Sequence, residues 1–463
     1  MLRLLVACVA LFAVLTPAAQ ASKTQTMTFE APKDLLNPAT RPGAMDQIAS
    51  LGARSLRVIL YWKNVAPSPT SKRKPAVDLG DPASYAWGEY DPLLSAAAER
   101  GWPVLLTVSG PVPKWATKRK KGYVRDPSAD EFQTFVTAVG KRYGAQVDTW
   151  SVWNEPNHPD FLLPQYAKGK KPRSGAVYRG LFLAAWKGLR ASGNGRDRIL
   201  MGETAPVGTG KVVAPLTFLR QALCLNRRYE KRQSCSNLPA DGYAHHAYTT
   251  RLGPFHRPAS PNAVTIGVLG RLVRALDRAA RAGAVDRGLG IYLTEFGIQS
   301  YPDRLSGVPL AKQPEYYAIS ERIAYENPRV RSFSQYLLRD DDSVRGGNQL
   351  GRFPGFESGL LTERGKRKPA YAGYRLPLTV TERGGRVSIW GKVRPAAEAT
   401  TVQLQVQRRR GASWRRLKDV RTDAAGYYTT SSSNGKSRRW RARWTWPGGE
   451  TFTGPPIRAY PKP

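Results

Sequence analysis

The sequence predicts an α/β fold: a closed (β/α)8 TIM barrel followed by a small antiparallel β-sandwich. The chain has 463 residues, which is enough for a large barrel and a second domain. Short β-rich runs alternate with amphipathic helical stretches as far as about residue 376. After Pro377 the pattern changes to period-two alternation separated by turn residues.

Eight β-rich runs predict the barrel strands. Helical stretches at 130–143, 178–191, 266–282 and 316–326 separate some of them. An open doubly wound sheet is the alternative, but it needs a glycine-rich phosphate turn after its first strand. The segment that follows the first run, "APKDLLNPATRPG", has no such turn. The predicted strands are 27–30, 55–61, 103–108, 147–153, 198–202, 242–248, 290–296 and 332–338.

The predicted domains are a signal peptide at 1–21, the catalytic barrel at 22–376 and the sandwich at 377–463. In "TTVQLQVQRRR" the apolar residues Val402, Leu404 and Val406 alternate with polar neighbours. The stretches "GYYTTSSS" and "RRWRARWTW" follow, with turn residues between them. This alternation is typical of antiparallel strands.

The first residues indicate a secretory signal peptide. Arg3 precedes an apolar run, and Ala19-Gln20-Ala21 is a typical cleavage site. An uncleaved membrane anchor is the alternative, but the apolar run of about twelve residues is shorter than the ~20 that a span needs. We therefore expect a secreted, extracellular protein without a membrane span.

Two cysteines remain after the leader, Cys224 and Cys235. In an exported chain this close pair predicts one disulfide that closes a local loop. Two free thiols are the alternative, and no histidine lies near enough in sequence to suggest a zinc site.

The chain is strongly basic, with 72 Lys and Arg against 35 Asp and Glu, a formal net charge of +37. This excess is compatible with nucleic acid, an anionic cell-envelope surface or an acidic polysaccharide as partner. It is also compatible with a compositional bias that has no functional meaning.

Two glutamates follow predicted strands. Glu155 lies in "WSVWNEPNHPDF" after the fourth strand and Glu295 in "IYLTEFGIQS" at the end of the seventh. The carboxyl ends of barrel strands open on one mouth, so the two carboxylates are expected to face each other. Two facing carboxylates are what glycoside hydrolysis requires. The alternative for Glu155 is a role in starting a helix.

The motifs "WNEPN" and "TEFG", in this order, resemble those of the clan A glycoside hydrolases. These are retaining (β/α)8 enzymes that include cellulase-like, mannanase-like and β-xylosidase-like families. The resemblance covers about residues 25–376. It implies that Glu155 is the acid/base, that Glu295 is the nucleophile and that Asn154 binds the 2-hydroxyl of the sugar.

Other segments extend the resemblance. "LRVILYW" places Arg57 near the nucleophile, "HHAY" suggests His246 and Tyr248, and "GPVPKWA" resembles a substrate-side loop with Trp115. Trp62, also near a strand end, is a further candidate for stacking on a sugar. For both tryptophans a place in the core is the alternative.

The sequence departs from the family on strand eight. Many members have a tryptophan there as a floor for the sugar, whereas "SFSQYLLRDDD" has Gln335 and Tyr336.

The function expected is a secreted retaining glycoside hydrolase, and the alternative is a non-catalytic glycan- or polyanion-binding cell-wall protein on the same barrel.

We expect neither a metal nor a cofactor. His245 and His246 are adjacent on a strand and therefore point to opposite faces, so they cannot readily share an ion. The expected partner is a poly- or oligosaccharide rather than nucleic acid. Basic clusters in the loops that follow the strands suggest that this substrate is acidic: Lys72–Lys74, Lys118–Lys121, Lys168, Lys170, Lys171 and Arg173.

Overall fold

The predicted barrel is confirmed. A computed structural model describes residues 25–232, 234–346, 349–433 and 438–461. The predicted signal peptide lies outside these residues and stays a prediction. Eight parallel strands close in sequence order, with the first strand paired to both the second and the eighth. The strands are β1 (Thr26–Glu30), β2 (Leu56–Tyr61), β3 (Val104–Ser109), β4 (Thr149–Val152), β5 (Arg198–Thr204), β6 (Gly242–His246), β7 (Gly290–Glu295) and β8 (Val330–Tyr336).

Eight helices of seven residues or more surround the barrel in the described part of the chain. They are α1 (Arg41–Ser50), α2 (Asp91–Glu99), α3 (Ala129–Tyr143), α4 (Ser174–Ala191), α5 (Pro215–Ala222), α6 (Gly270–Arg281), α7 (Lys312–Tyr325) and α8 (Pro369–Arg375). Short helical turns lie at Pro32–Leu35, Trp62–Val65, Pro82–Ser84, Lys114–Ala116, Lys168–Lys170, Ile266–Val268 and Gln349–Arg352. A two-residue strand pair joins Tyr166–Ala167 to Lys171–Pro172.

Helix α3 shows how the sequence specifies one of these elements. Ser128 caps its N-terminus by accepting a hydrogen bond from the backbone N–H of Glu131. Acidic residues occupy the first turn and basic residues the last, as the helix dipole favours. Phe132 and Phe135 lie on the buried face and pack against the barrel.

The C-terminal strands form two sheets packed on one core. The strands are β9 (Leu378–Arg383), β10 (Arg386–Lys392), β11 (Thr401–Gln407), β12 (Arg415–Arg421), β13 (Tyr427–Ser433), β14 (Arg439–Thr445), β15 (Thr451–Thr453), β16 (Ile457–Arg458) and β17 (Tyr460–Pro461). One sheet has the order β13-β10-β9-β17. The other has the order β12-β11-β14-β15, with β16 also paired to β14.

The predicted sandwich is also confirmed, with one difference. Val402 and Leu404 are buried, as the alternation predicted, and Trp440 and Trp444 of β14 complete the core. The pairings are antiparallel except at β17, which returns parallel to β9.

The sandwich packs against helix α7 through buried polar contacts. Arg394 forms an ion pair with Glu321, and both side chains are almost fully inaccessible. Tyr325 of α7 contacts Trp390 and Tyr427, with ring centroids 5.5 and 4.4 Å apart. The sandwich is therefore joined to the barrel by a desolvated interface rather than by a linker alone.

The predicted disulfide between Cys224 and Cys235 is present and closes the loop after α5. Among the described residues, none of the helices combines the length and the apolar character that a bilayer span requires.

We predict that Arg394→Leu destabilises the protein by about 3–5 kcal/mol, because it leaves the Glu321 carboxylate buried without its partner. The matched control is Arg416→Leu, which breaks the exposed pair with Asp419 and should cost less than about 1 kcal/mol. Denaturant unfolding measures both. Replacing Glu321 together with Arg394 by leucine should recover part of the loss. Equal losses of stability in Arg394→Leu and Arg416→Leu would contradict the proposed importance of the interface.

Candidate active site

The candidate site lies at the carboxyl ends of the barrel strands, where the backbone is locally strained. Trp153 and Glu155 after β4, and Glu203 in β5, have positive φ angles of 71°, 37° and 50°. Such conformations are costly for residues other than glycine and are concentrated at functional sites. The N–H of Glu155 donates to the carbonyl of Glu203 at 3.0 Å, so the two strained segments hold each other in place.

Arg57 of β2 is the centre of the site. Its side chain is inaccessible, and its guanidinium donates to three carboxylates and one amide. Nη1 contacts Glu30 and lies 2.6 Å from Glu295, while Nη2 lies 2.6 Å from Glu203 and 2.8 Å from Oδ1 of Asn154. One buried cation thus connects residues from or just after β1, β4, β5 and β7.

The environment favours the ionised form of Glu295. Burial on its own raises the pKa of this carboxyl, but the positive charges of His246 and Arg57 outweigh that effect and leave the pKa below its usual range. The hydroxyl of Tyr248 also donates to Oε2 of Glu295, at 3.1 Å. Glu295 is therefore an ionised carboxylate that is fixed by hydrogen bonds and faces a pocket, as a nucleophile requires.

His246 connects the two predicted catalytic glutamates. Its Nδ1 lies 2.9 Å from Oε1 of Glu155 and 3.4 Å from Oε2 of Glu295. Burial on its own lowers the pKa of His246, but the charges of Glu295 and Glu155 leave it above its usual value. Oxygens of the two carboxylates approach within 4.8 Å, so the two groups face each other across the pocket.

Asn154 is oriented towards the same pocket. Its backbone N–H donates to Oγ of Ser109 at 3.0 Å, and its Oδ1 accepts from Arg57. Since the carbonyl end of the amide is used by Arg57, its NH2 group is left as the donor to a ligand.

Aromatic side chains form one wall. The ring of Tyr248 stacks near Phe356 at 6.0 Å, and Tyr336 packs edge-on against Phe356 at 5.1 Å. Phe356 is more than one-third exposed. Tyr336, at the end of β8, lines the pocket on the strand where the resemblance implies a tryptophan, whereas the buried Gln335 donates hydrogen bonds to backbone carbonyls.

The prediction that Trp62 and Trp115 contact a sugar is wrong. They are 0% and 1% exposed, and they pack edge to face with ring centroids 5.8 Å apart. Trp62 also stacks on Phe135 of α3, at 4.9 Å. Both follow strand ends in sequence, but their rings point outward into the layer between the barrel and α3 rather than into the mouth.

The two adjacent histidines have separate roles. His245 points away from the site, with Nδ1 2.9 Å from Oγ1 of Thr204 and Nε2 2.8 Å from the carbonyl of Val264. Burial lowers its pKa to about 3, so it is neutral.

The spacing of potential ligand atoms in the site would also allow a metal ion to bind. One potential ligand atom from each of Glu155, His246 and Glu295 lies within 4.8 Å of the other two. In the structure, however, Nδ1 of His246 lies 2.9 Å from Oε1 of Glu155, a hydrogen-bonding distance, and Arg57 and the Tyr248 hydroxyl already donate hydrogen bonds to Glu295. The arrangement therefore fits acid–base chemistry better than metal ligation.

Sequence reasoning missed two acidic residues of the site, Glu30 and Glu203. Glu30 ends β1 and lines the pocket. Glu203 is fully buried and binds both Arg57 and the hydroxyl of Thr107. The available signal was a glutamate near the carboxyl end of a predicted strand, in "MTFE" and "MGET", which is the rule that identified Glu295.

The pocket encloses about 290 Å³, near the lower end of the range for small-molecule sites. Polar groups converge on one side, from Glu30, Arg57, Asn154, Glu155 and Glu295. The aromatic wall lies beside them. This combination of hydroxyl-binding groups and apolar faces suits a sugar.

Comparisons with known proteins give a structural likeness and no sequence match. No protein-family model matches the chain, and no curated protein matches it. A family 39 glycoside hydrolase from the gut symbiont Bacteroides cellulosilyticus WH2 is 16% identical with a TM-score of 0.52, over 91% of this chain and 80% of that one. A glucosidase from Croceicoccus marinus is 12% identical with a TM-score of 0.53, over 91% and 95% of the two chains.

The fold is shared. At these low identities the likeness shows a shared fold and not the chemistry of individual residues.

We predict that Glu30 makes the protein less stable as the pH rises. Burial, together with the charge of Glu295, outweighs Arg57 and raises its pKa from 4.5 to about 8. The folded protein therefore holds this proton up to about pH 8, whereas the unfolded chain releases it near 4.5. Because the unfolded state binds fewer protons in this window, stability falls from pH 4.5 towards pH 8.

Glu30→Gln removes this ionisation, so the variant should gain stability relative to the wild type as the pH rises from 5 to 8. We expect a relative gain of at least about 1 kcal/mol, measured by denaturant unfolding. Glu357, whose pKa is also raised to about 8, contributes the same trend to both proteins and cancels. A constant difference between variant and wild type across this range would rule out the buried proton on Glu30.

Proposed function

We propose that the protein is an exported retaining glycoside hydrolase that cleaves O-glycosidic bonds of a poly- or oligosaccharide. The observation that carries the proposal is the pair Glu155 and Glu295, whose oxygens approach within 4.8 Å at the mouth of the barrel. His246 and Arg57 favour the charged form of one of them. The shared fold supports the proposal, and the pocket provides room for a sugar beside both groups.

In the first step Glu295 attacks the anomeric carbon. The bond from that carbon to the leaving oxygen breaks, and the leaving oxygen takes a proton from Glu155. A covalent glycosyl ester on Glu295 results. Arg57 and the Tyr248 hydroxyl, which hold the carboxylate before attack, release part of their interaction as its charge is consumed.

In the second step water attacks the same carbon from the opposite side. Glu155 takes the proton of the water, the ester bond to Glu295 breaks, and the sugar leaves with its original configuration. His246 lies 2.9 Å from Glu155 and 3.4 Å from Glu295, so it helps to position both reacting groups. Asn154 is placed to hold the 2-hydroxyl through its free NH2 group.

We predict that Glu295→Gln abolishes turnover of aryl glycosides, since no ester can form. Glu155→Gln should slow poor leaving groups by ~10²–10⁴-fold and activated ones far less, because only the former need the proton. The matched control is Glu99→Gln, an exposed glutamate on α2, which should behave as wild type. A panel of aryl glycosides and polysaccharides with product NMR measures rate and configuration, and dialysis against EDTA should leave both unchanged.

An inverted product, or equal losses on both substrate types, would contradict the assigned roles. A folded protein that binds glycans but hydrolyses no member of the panel would favour the non-catalytic alternative. The pH profile of kcat/KM should be bell-shaped. Its acid limb should lie below the usual carboxyl range, because the pKa of Glu295 is lowered and this carboxylate must be ionised to attack.

We further propose that the substrate is acidic, on the basis of three exposed basic clusters in the loops after β2, β3 and β4. Within them Lys74 pairs with Glu131, at 2.7 Å, and Lys120 donates to the carbonyl of Trp115. The excess charge at the mouth would attract a polyanion. Arg251, Arg257, Arg345 and Arg352, exposed in the loops after β6 and β8, add to it.

The expected result is a steep loss of kcat/KM with salt for an acidic polysaccharide and little loss for a neutral analogue. The measurement is the initial rate on both polymers over a series of salt concentrations. Faster hydrolysis of the neutral polymer, with no effect of salt, would contradict the proposal. The basic clusters around the mouth would then reflect only the basic composition of the chain.

The exported location rests on the leader pattern, and the disulfide between Cys224 and Cys235 supports it. For the sandwich we propose contact with an anionic envelope surface through the exposed Arg408–Arg410 and Arg415. The buried interface with α7 gives the domain a packing role in addition.

A further inference from the structure

A second concave site lies on the outside of the barrel. A groove of about 1040 Å³ is bounded by α4, α5, α6 and the loop closed by the Cys224–Cys235 disulfide. Its lining has no residue in common with that of the pocket containing Glu155 and Glu295. Seven arginines line this groove, and no aspartate or glutamate does.

Three of the arginines are half-buried and are held by neutral acceptors. Arg179 donates to the carbonyl of Ala222 at 3.1 Å, and Arg220 donates to Oδ1 of Asn262 at 2.9 Å. Arg271 donates to three backbone carbonyls, at 2.7, 3.1 and 3.2 Å. Carbonyl and amide oxygens orient a guanidinium without cancelling its charge, so the groove is positive and pre-organised.

The other four arginines are exposed at its edges: Arg227, Arg232, Arg274 and Arg278. In the part of the chain that the structure describes, no groove arginine forms an ion pair with a carboxylate. Burial lowers the pKa of Arg179, as expected for a cation that has no anion beside it. This concentration of charge in a concavity favours a ligand with several negative groups.

The remaining lining decides between classes of polyanion. Tyr229 is the aromatic residue of the groove, but it is buried beneath the guanidinium groups of Arg278 and Arg220, at 4.3 and 5.5 Å. It therefore cannot stack on a nucleobase, which single-stranded nucleic acids usually require. Thr217, which is half-buried, and Asn226, which is exposed, also line the groove and provide hydroxyl and amide groups that can hydrogen-bond to sugar hydroxyls.

We propose that this groove binds a linear anionic polysaccharide, at a site separate from the pocket at the barrel mouth. Carboxylate, sulfate or phosphate groups along the chain would pair with the planar guanidinium forks, which match the geometry of such anions. The half-buried arginines provide fixed anchors and the exposed ones provide attraction. The groove thus binds an anionic glycan whether or not the protein hydrolyses it.

The test removes three exposed groove arginines together, Arg227→Gln, Arg232→Gln and Arg274→Gln. The matched control removes three exposed arginines elsewhere, Arg54→Gln, Arg287→Gln and Arg364→Gln, and changes the net charge equally. Both sets are made in a Glu155→Gln background to suppress the proposed hydrolysis. Calorimetry then measures binding of polygalacturonate, neutral dextran and single-stranded DNA at rising salt.

The groove set should weaken polygalacturonate binding at least about tenfold and reduce its salt dependence, while the control set changes it little. Dextran should not bind to the groove. Equal losses in the two sets would overturn the proposal, since net charge alone would then explain binding. Tighter, groove-dependent binding of DNA would overturn the choice of ligand. Because the readout is affinity, its failure is distinguishable from an absence of glycosidase activity.

Discussion

The site depends on a single buried cation. Arg57 is inaccessible to solvent and touches Glu30, Glu203, Glu295 and Asn154. One guanidinium cannot balance the charge of three buried carboxylates. The arrangement is therefore stable only if a carboxyl group is protonated or a second positive charge lies beside it. The result is a division of states: the proton is held on Glu30, while Glu295 keeps its charge with the help of His246.

The barrel supplies the rigidity that this arrangement needs. The five side chains come from or just after five strands, which are fixed by parallel pairing around the closed sheet. The positive φ angles of Trp153, Glu155 and Glu203 determine the directions in which their side chains point at the ends of the strands. A fold that supports many chemistries acquires a specific one through such placements at its mouth.

The large positive charge is organised in more than one way. Around the mouth it lies on exposed loops, where lysines predominate and some pair with acids or carbonyls. In the lateral groove it consists of arginines alone, several of which are oriented by backbone oxygens. The first arrangement suits long-range attraction and the second suits direct recognition of anionic groups. Net charge by itself does not distinguish these roles.

The sequence by itself determined the barrel, the sandwich, the disulfide and the candidate pair Glu155 and Glu295. These follow from local patterns: strand runs, period-two alternation, cysteine spacing and motifs at strand ends. Only the tertiary structure decided that Trp62 and Trp115 belong to the core, since the side to which a ring turns after a strand depends on packing against α3. It also brought Glu30 and Glu203 to Arg57 and gathered the lateral arginines into one groove. Both clusters depend on contacts between residues that are distant in the chain, and local sequence patterns do not predict such contacts.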